Sequence, residues 1–164
     1  AQHLHPVFKD FHDDILIVSA NEKSISSSAG HQLMENNPYA DTRYINANLN
    51  LKRMLGALKA GDLDAFGNIV EAEALSLHGL MMLSTPAYIL MKPGTLSIIE
   101  KIQTFRKETK LPVYFTLDAG PNVHVLYPTD QKIKIQEFIK AELLPACFNN
   151  SYIPDQVGSG PKQF

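Results

Sequence analysis

The stretch VYFTLDAGPNVHVLY, Val113 to Tyr127, restricts the fold more than any other part of the chain. Its first half alternates, with Val113, Phe115 and Leu117 on one face and Tyr114, Thr116 and Asp118 on the other, which is the two-residue period of an extended strand. Val123 to Tyr127 is a second run of strand composition. The residues between them, Ala119, Gly120, Pro121 and Asn122, are those of a turn. The stretch predicts an antiparallel hairpin with one apolar face, and with Asp118 at the lip of the turn on the other face.

Helical ladders supply what could cover that apolar face. Tyr44, Ala47, Leu51, Leu55 and Leu58 keep helical spacing up to a stop at Gly61. Asp62 then caps a helix whose stripe Leu63, Phe66, Val70, Ala74, Leu77 and Met81 is expected to face the core. A further helix is predicted from Gly94 to Lys107, and a last one through Ile135, Phe138, Ile139 and Leu143. Upstream, Ile15 to Ser19 reads as a buried strand bounded by Asp13-Asp14, and the serines before His31 to Met34 read as a loop entering a helix. SYIPDQV adds an edge strand, because Pro154 cannot donate to a ladder. The expected class is α+β, with helices packed on a roughly four-stranded antiparallel sheet in one domain spanning residues 1–164.

Composition narrows the partners. The 164 residues are 45% hydrophobic and 20% charged, with net charge -2, which suggests neither disorder nor a nucleic-acid surface. Cys147 is the single cysteine, so an internal disulfide and a cysteine-based zinc site are excluded. Apolar runs such as Leu80 to Leu83 are far shorter than the roughly 20 residues of a membrane helix. With no secretory-type leader at the start, the expected compartment is the cytoplasm.

Asp118 has two readings that spacing leaves open. It bonds the turn's own N–H groups, as aspartates in turns do, or it is a carboxylate fixed by rigid strands that orients a substrate hydroxyl and accepts its proton. The loop Ser26, Ser27, Ser28, Ala29, Gly30 is an ordinary helix cap or an anion site at a helix start. QVGSGP, Gln156 to Pro161, is a tail or a phosphate-approaching turn. His3, His5 and His12 show no metal-binding spacing, and no metal site is expected. His78 lies near the core stripe, where a buried histidine satisfied by a hydrogen bond is the ordinary reading. The phosphate-loop, dinucleotide and nucleophile-elbow motifs are missing.

Three motifs in fixed order, KSISSSAGHQLM, YFTLDAGPNVHVLY and DQVGSGP, resemble the C-terminal half of the mevalonate diphosphate decarboxylases, within the GHMP kinase superfamily. SLHG at Ser76 to Gly79 looks like that family's histidine-bearing helix. The resemblance implies an enzyme that uses ATP and Mg2+ to phosphorylate the tertiary hydroxyl of a phosphorylated mevalonate. Loss of phosphate and carbon dioxide then gives isopentenyl diphosphate. It implies Asp118 at the reacting hydroxyl, Ser27 on the substrate with Ser26 and Ser28 beside it, and a nucleotide-binding N-terminal domain, absent from this chain, as partner. A homodimer is a further expected partner. Ser28 stands where many bacterial relatives carry arginine, and Leu83 and Ala87 replace an acid and a proline. These departures leave open a monophosphate substrate. Two other readings remain, a related small-molecule kinase without decarboxylation and a non-catalytic binding module.

Overall fold

The computed structural model describes residues 4–20, 37–158 and 160. Among them, β1 (Phe11–Leu16) is followed by helices α1 (Ala40–Ala60), α2 (Leu63–Met82) and α3 (Pro93–Thr109). The hairpin β2 (Tyr114–Leu117) and β3 (Val123–Pro128) comes next, then α4 (Lys132–Phe138), a wider π turn over Ile139–Leu143, and β4 (Tyr152–Ile153). The strands form one four-stranded sheet in the order β2-β3-β1-β4, antiparallel throughout. The α+β class with helices on an antiparallel sheet is therefore as expected.

The hairpin register pairs Phe115 with Val125 and Leu117 with Val123, so the alternation read from sequence holds across both strands. Their apolar face meets Ile98, Ile99 and Ile102 of α3 and Ile135, Phe138, Ile139 and Leu143 from α4 and the turn after it. Phe105 stacks on Phe138 at 3.9 Å between centroids. The other face carries Thr116, His124, Leu126, Asp13 and Ile15, all half-buried.

Helix boundaries follow their local chemistry. Gly61 closes α1 in the left-handed region at φ 75°, and the Asp62 carboxylate accepts the Ala65 N–H at 2.9 Å to open α2. The Asp13-Asp14 pair, read as a strand boundary, lies inside β1. Asp14 accepts from Tyr127 Oη at 2.6 Å and Asp13 pairs with His124, so each charge has a cross-strand partner, and the strand begins earlier and ends earlier than Ile15 to Ser19.

Two predicted stripes are corrected. On α2 the buried line is Gly67, Glu71, Ala74, His78, Leu80 and Met81, while Leu63, Phe66, Val70 and Leu77 are half-buried. The helix has turned because it lies along the outer edge of β2 as well as on the core. Glu71 Oε1 accepts the Phe115 N–H at 3.3 Å and holds Arg106 of α3 through both carboxylate oxygens at 2.6 and 2.9 Å; Arg106 also donates to the Val113 carbonyl at 2.6 Å. On α1 the expected apolar ladder is largely exposed, with Tyr44 at 51% and Leu51 at 58%; Arg43, which reaches Glu73 at 2.8 Å, and Ala57 take the side against α2.

The C-terminal stretch is docked. Asp13 N–H donates to the Asp155 carbonyl at 3.0 Å and Val157 N–H to the Phe11 carbonyl at 2.9 Å, which carries pairing along β1 past β4 as far as Val157. Cys147 is half-buried, and burial pushes its thiol up to about 11, so it is not a reactive thiolate at neutral pH.

Candidate functional site

Asp118 follows the last residue of β2 and is exposed. Its main chain is held rather than loose. The Gly120 N–H donates to the Asp118 carbonyl at 2.8 Å, which tightens the turn. His78 Nε2, from α2, lies 3.0 Å from the same carbonyl oxygen. Thr95, in the first turn of α3 and fully buried, donates its hydroxyl to the Pro121 carbonyl at 2.5 Å while accepting the Lys92 N–H at 3.1 Å. Asn122 Oδ1 accepts the N–H groups of Val18 at 2.9 Å and Ser19 at 3.2 Å, where the chain leaves β1. Two helices and the segment that follows β1 thus each grip the turn at a different residue, the kind of over-determination a positioned carboxylate needs.

The titratable neighbours differ in charge. His78 is 1% exposed, and burial lowers its pKa against the weaker raising influences of the Asp118 carbonyl and carboxylate, so it is neutral near pH 7. His124, opposite Thr116 in the hairpin register, lies 2.9 and 3.1 Å from the two oxygens of Asp13. That hydrogen bond raises its pKa, burial opposes, and the charges of Asp13 and Asp118 add to the rise. The surroundings of Asp118 therefore include a neutral imidazole against its main chain and a second imidazole biased toward its cationic form.

Ser26, Ser27 and Ser28 lie outside the described residues. The chain that leads toward them is fastened to the Asp118 turn through Asn122. No group of three or more His, Cys, Asp or Glu side chains among the described residues could hold a metal ion. A groove of about 840 Å3 over Phe105 and Phe138 and another of about 950 Å3 beside Arg106 and Lys110 do not include Asp118. No helix among the described residues is long and apolar enough to cross a membrane.

Sequence reasoning singled out Asp118 but missed its supports. Thr95, Asn122 and the His78 contact join residues 26 to 104 positions apart, beyond the reach of local periodicity. His124 carried a usable signal, because hairpin alternation puts it on the face of Thr116 and Asp118.

The sequence family described as Mevalonate 5-diphosphate decarboxylase C-terminal domain matches residues 14–162. The chain belongs to that family. A solved mevalonate diphosphate decarboxylase from Legionella pneumophila is similar at 31% identity and a TM-score of 0.82, covering 90% of this chain and 46% of that one. The structure of MDDEF in complex with MVAPP, AMPPCP and magnesium is 25% identical with a TM-score of 0.79, covering 89% and 43%. A phosphomevalonate decarboxylase of Haloferax volcanii is 24% identical over 131 residues, 79% of this chain and 40% of that relative. The chain thus spans less than half the length of these relatives.

Proposed function

We propose that the chain is the C-terminal, substrate-side part of an ATP-dependent decarboxylase acting on a phosphorylated mevalonate, with Asp118 at the reaction centre. The observation that carries this reading is the exposed Asp118 at the end of a strand whose turn is held by His78, Thr95 and Asn122. A carboxylate that only braced its own hairpin would not require three outside supports.

The chemistry follows from leaving-group ability. A tertiary hydroxide is a poor leaving group. Transfer of the terminal phosphoryl group of ATP to that oxygen makes a phosphate ester and releases ADP and a proton. The carbon–oxygen bond then breaks with departure of inorganic phosphate, while the electrons of the bond to the carboxylate form the new double bond and carbon dioxide leaves. Asp118 orients the hydroxyl and takes its proton late, since an ordinary carboxylate is a weak base toward an alcohol and phosphoryl transfer is loose. The complex with MVAPP, AMPPCP and magnesium supports ATP and Mg2+ as requirements of the whole enzyme. No step is assigned to a metal ligand in this chain. A preceding nucleotide-binding domain is the proposed partner in cis, the serines Ser26, Ser27 and Ser28 are proposed to contact the substrate, and pairing into a homodimer and a cytoplasmic location are part of the same reading.

The test is product analysis of the full-length protein with Mg-ATP and, separately, mevalonate diphosphate and mevalonate monophosphate. Stoichiometric carbon dioxide and phosphate from either substrate are expected, and the ratio of kcat/KM values identifies the true one. In the same assay Asp118→Asn is expected to lower kcat by two or more powers of ten with the fold intact. ADP without carbon dioxide would reduce the protein to a kinase; no turnover of either substrate would leave a binding module.

A further inference from the structure

We propose that His78 is a positioning residue for Asp118, its imidazole N–H holding the Asp118 carbonyl and thereby setting where the carboxylate stands. The proposal deepens the reading of Asp118 as the reaction centre and rests on it.

A carbonyl oxygen has no proton to give, so the 3.0 Å contact requires the hydrogen on Nε2 of His78. The neutral ring favoured by burial then carries its single N–H at that nitrogen. Burying an imidazole at 1% exposure is unfavourable unless the polar atom is used, and a leucine or methionine would fill the same space without that cost. The polar atom is used here on the main chain of Asp118.

The carbonyl shares its Cα with the carboxylate-bearing side chain. Holding the oxygen limits the ψ angle at Asp118, and so the direction in which Cβ leaves the backbone relative to the turn. Glu71, on the same buried face of α2, bonds the Phe115 N–H of the same strand. One helix therefore grips β2 at Phe115 and the turn just past its end at Asp118, which fixes both the height and the rotation of the strand end. A misplacement of the order of 1 Å at a reacting group costs about a hundredfold in rate.

The experiment uses the full-length protein with Mg-ATP and the better phosphorylated mevalonate, comparing wild type, His78→Phe, His78→Met, His78→Gln and Asp118→Asn. In His78→Phe and His78→Met, kcat per folded molecule is expected to fall about ten- to a hundredfold with KM for the mevalonate substrate within about threefold. His78→Gln, whose side-chain amide can donate to the same carbonyl, is expected to recover most of the loss. Wild-type kcat in the phenylalanine or methionine variant overturns the proposal, as does a glutamine variant no better than phenylalanine. Imidazole nitrogen NMR of the wild-type protein is a second measurement that needs no variant to fold: a proton on Nε2 is expected, and a proton on Nδ1 alone overturns the idea. If Asp118→Asn is inactive while His78→Phe is active, only this proposal falls. If Asp118→Asn turns over normally, the reading of Asp118 falls and takes this one with it.

Discussion

Replacing Glu71 with alanine removes the acceptor of two guanidinium N–H groups and of the Phe115 N–H in one step. Breaking a buried ion pair from one side costs about 3–5 kcal/mol, because the surviving charge is left in a poor solvent. The side chain of Glu71 is 9% exposed, but that of Arg106 is 24% exposed and keeps its bond to the Val113 carbonyl. The freed guanidinium can turn toward water, so the lower end applies, about 3 kcal/mol. For a chain of this size that is a fall in Tm of roughly 6–12 °C. The assay is thermal and urea unfolding of wild type, Glu71→Ala, Arg106→Met and the double variant. Arg106→Met is expected to be nearly as harmful, since it strands the carboxylate. The double variant is expected to lose at least about 1.5 kcal/mol less than the two single losses added together. Additive losses, or a Glu71→Ala protein that melts within about 2 °C of wild type, would refute the argument that this pair secures the strand edge.

Two further outcomes follow from the same packing. A Cβ on Gly67 would lie 2.0 Å from Cδ1 of the buried Tyr114 ring, so Gly67→Ala is expected to destabilise by about 2 kcal/mol in chemical unfolding despite a helix-propensity gain of about 1 kcal/mol. The His124 and Asp13 pair makes stability depend on pH: the folded pKa of His124 lies above the unfolded value of about 6.5, so its contribution is complete below that pH and is lost as the pH rises through the folded value. The Tm gap between wild type and Asp13→Asn is therefore expected to be widest below the unfolded value and to narrow as the pH rises through the raised folded value; His78, whose lowered pKa acts in the opposite sense, is common to both proteins and cancels.

What could be read from sequence was whatever depends on near neighbours. The alternation through Val113 to Asp118, the Asp62 cap, the Gly61 stop and the edge character of the Pro154 stretch all depend on neighbouring residues and match the structure. What failed depended on tertiary surroundings. Asp13 and Asp14 read as a boundary because a charge inside a strand needs a partner, and those partners, His124 and Tyr127, lie more than a hundred residues away. The α2 stripe was misplaced because Glu71 and His78 are buried as hydrogen-bonding groups against a strand edge, a role that hydrophobic spacing cannot register. Asp118 was legible as a candidate from its place at the turn, and its supports were not.

The strand order has a consequence for how this domain comes together. β1 lies between β3 and β4, so both of its neighbours come from the far end of the chain, while α1, α2, α3 and the β2–β3 hairpin are built from short-range contacts. Closing a loop of about a hundred residues costs on the order of 4 kcal/mol of chain entropy, and topology of this kind is slow to form. The local elements can assemble first; insertion of β1 completes the sheet. The Asn122 bonds to Val18 and Ser19 span 104 and 103 positions and can form only at that point. The turn bearing Asp118 therefore lacks one of its supports until the end of β1 is in place, which makes a finished site a marker of a finished sheet.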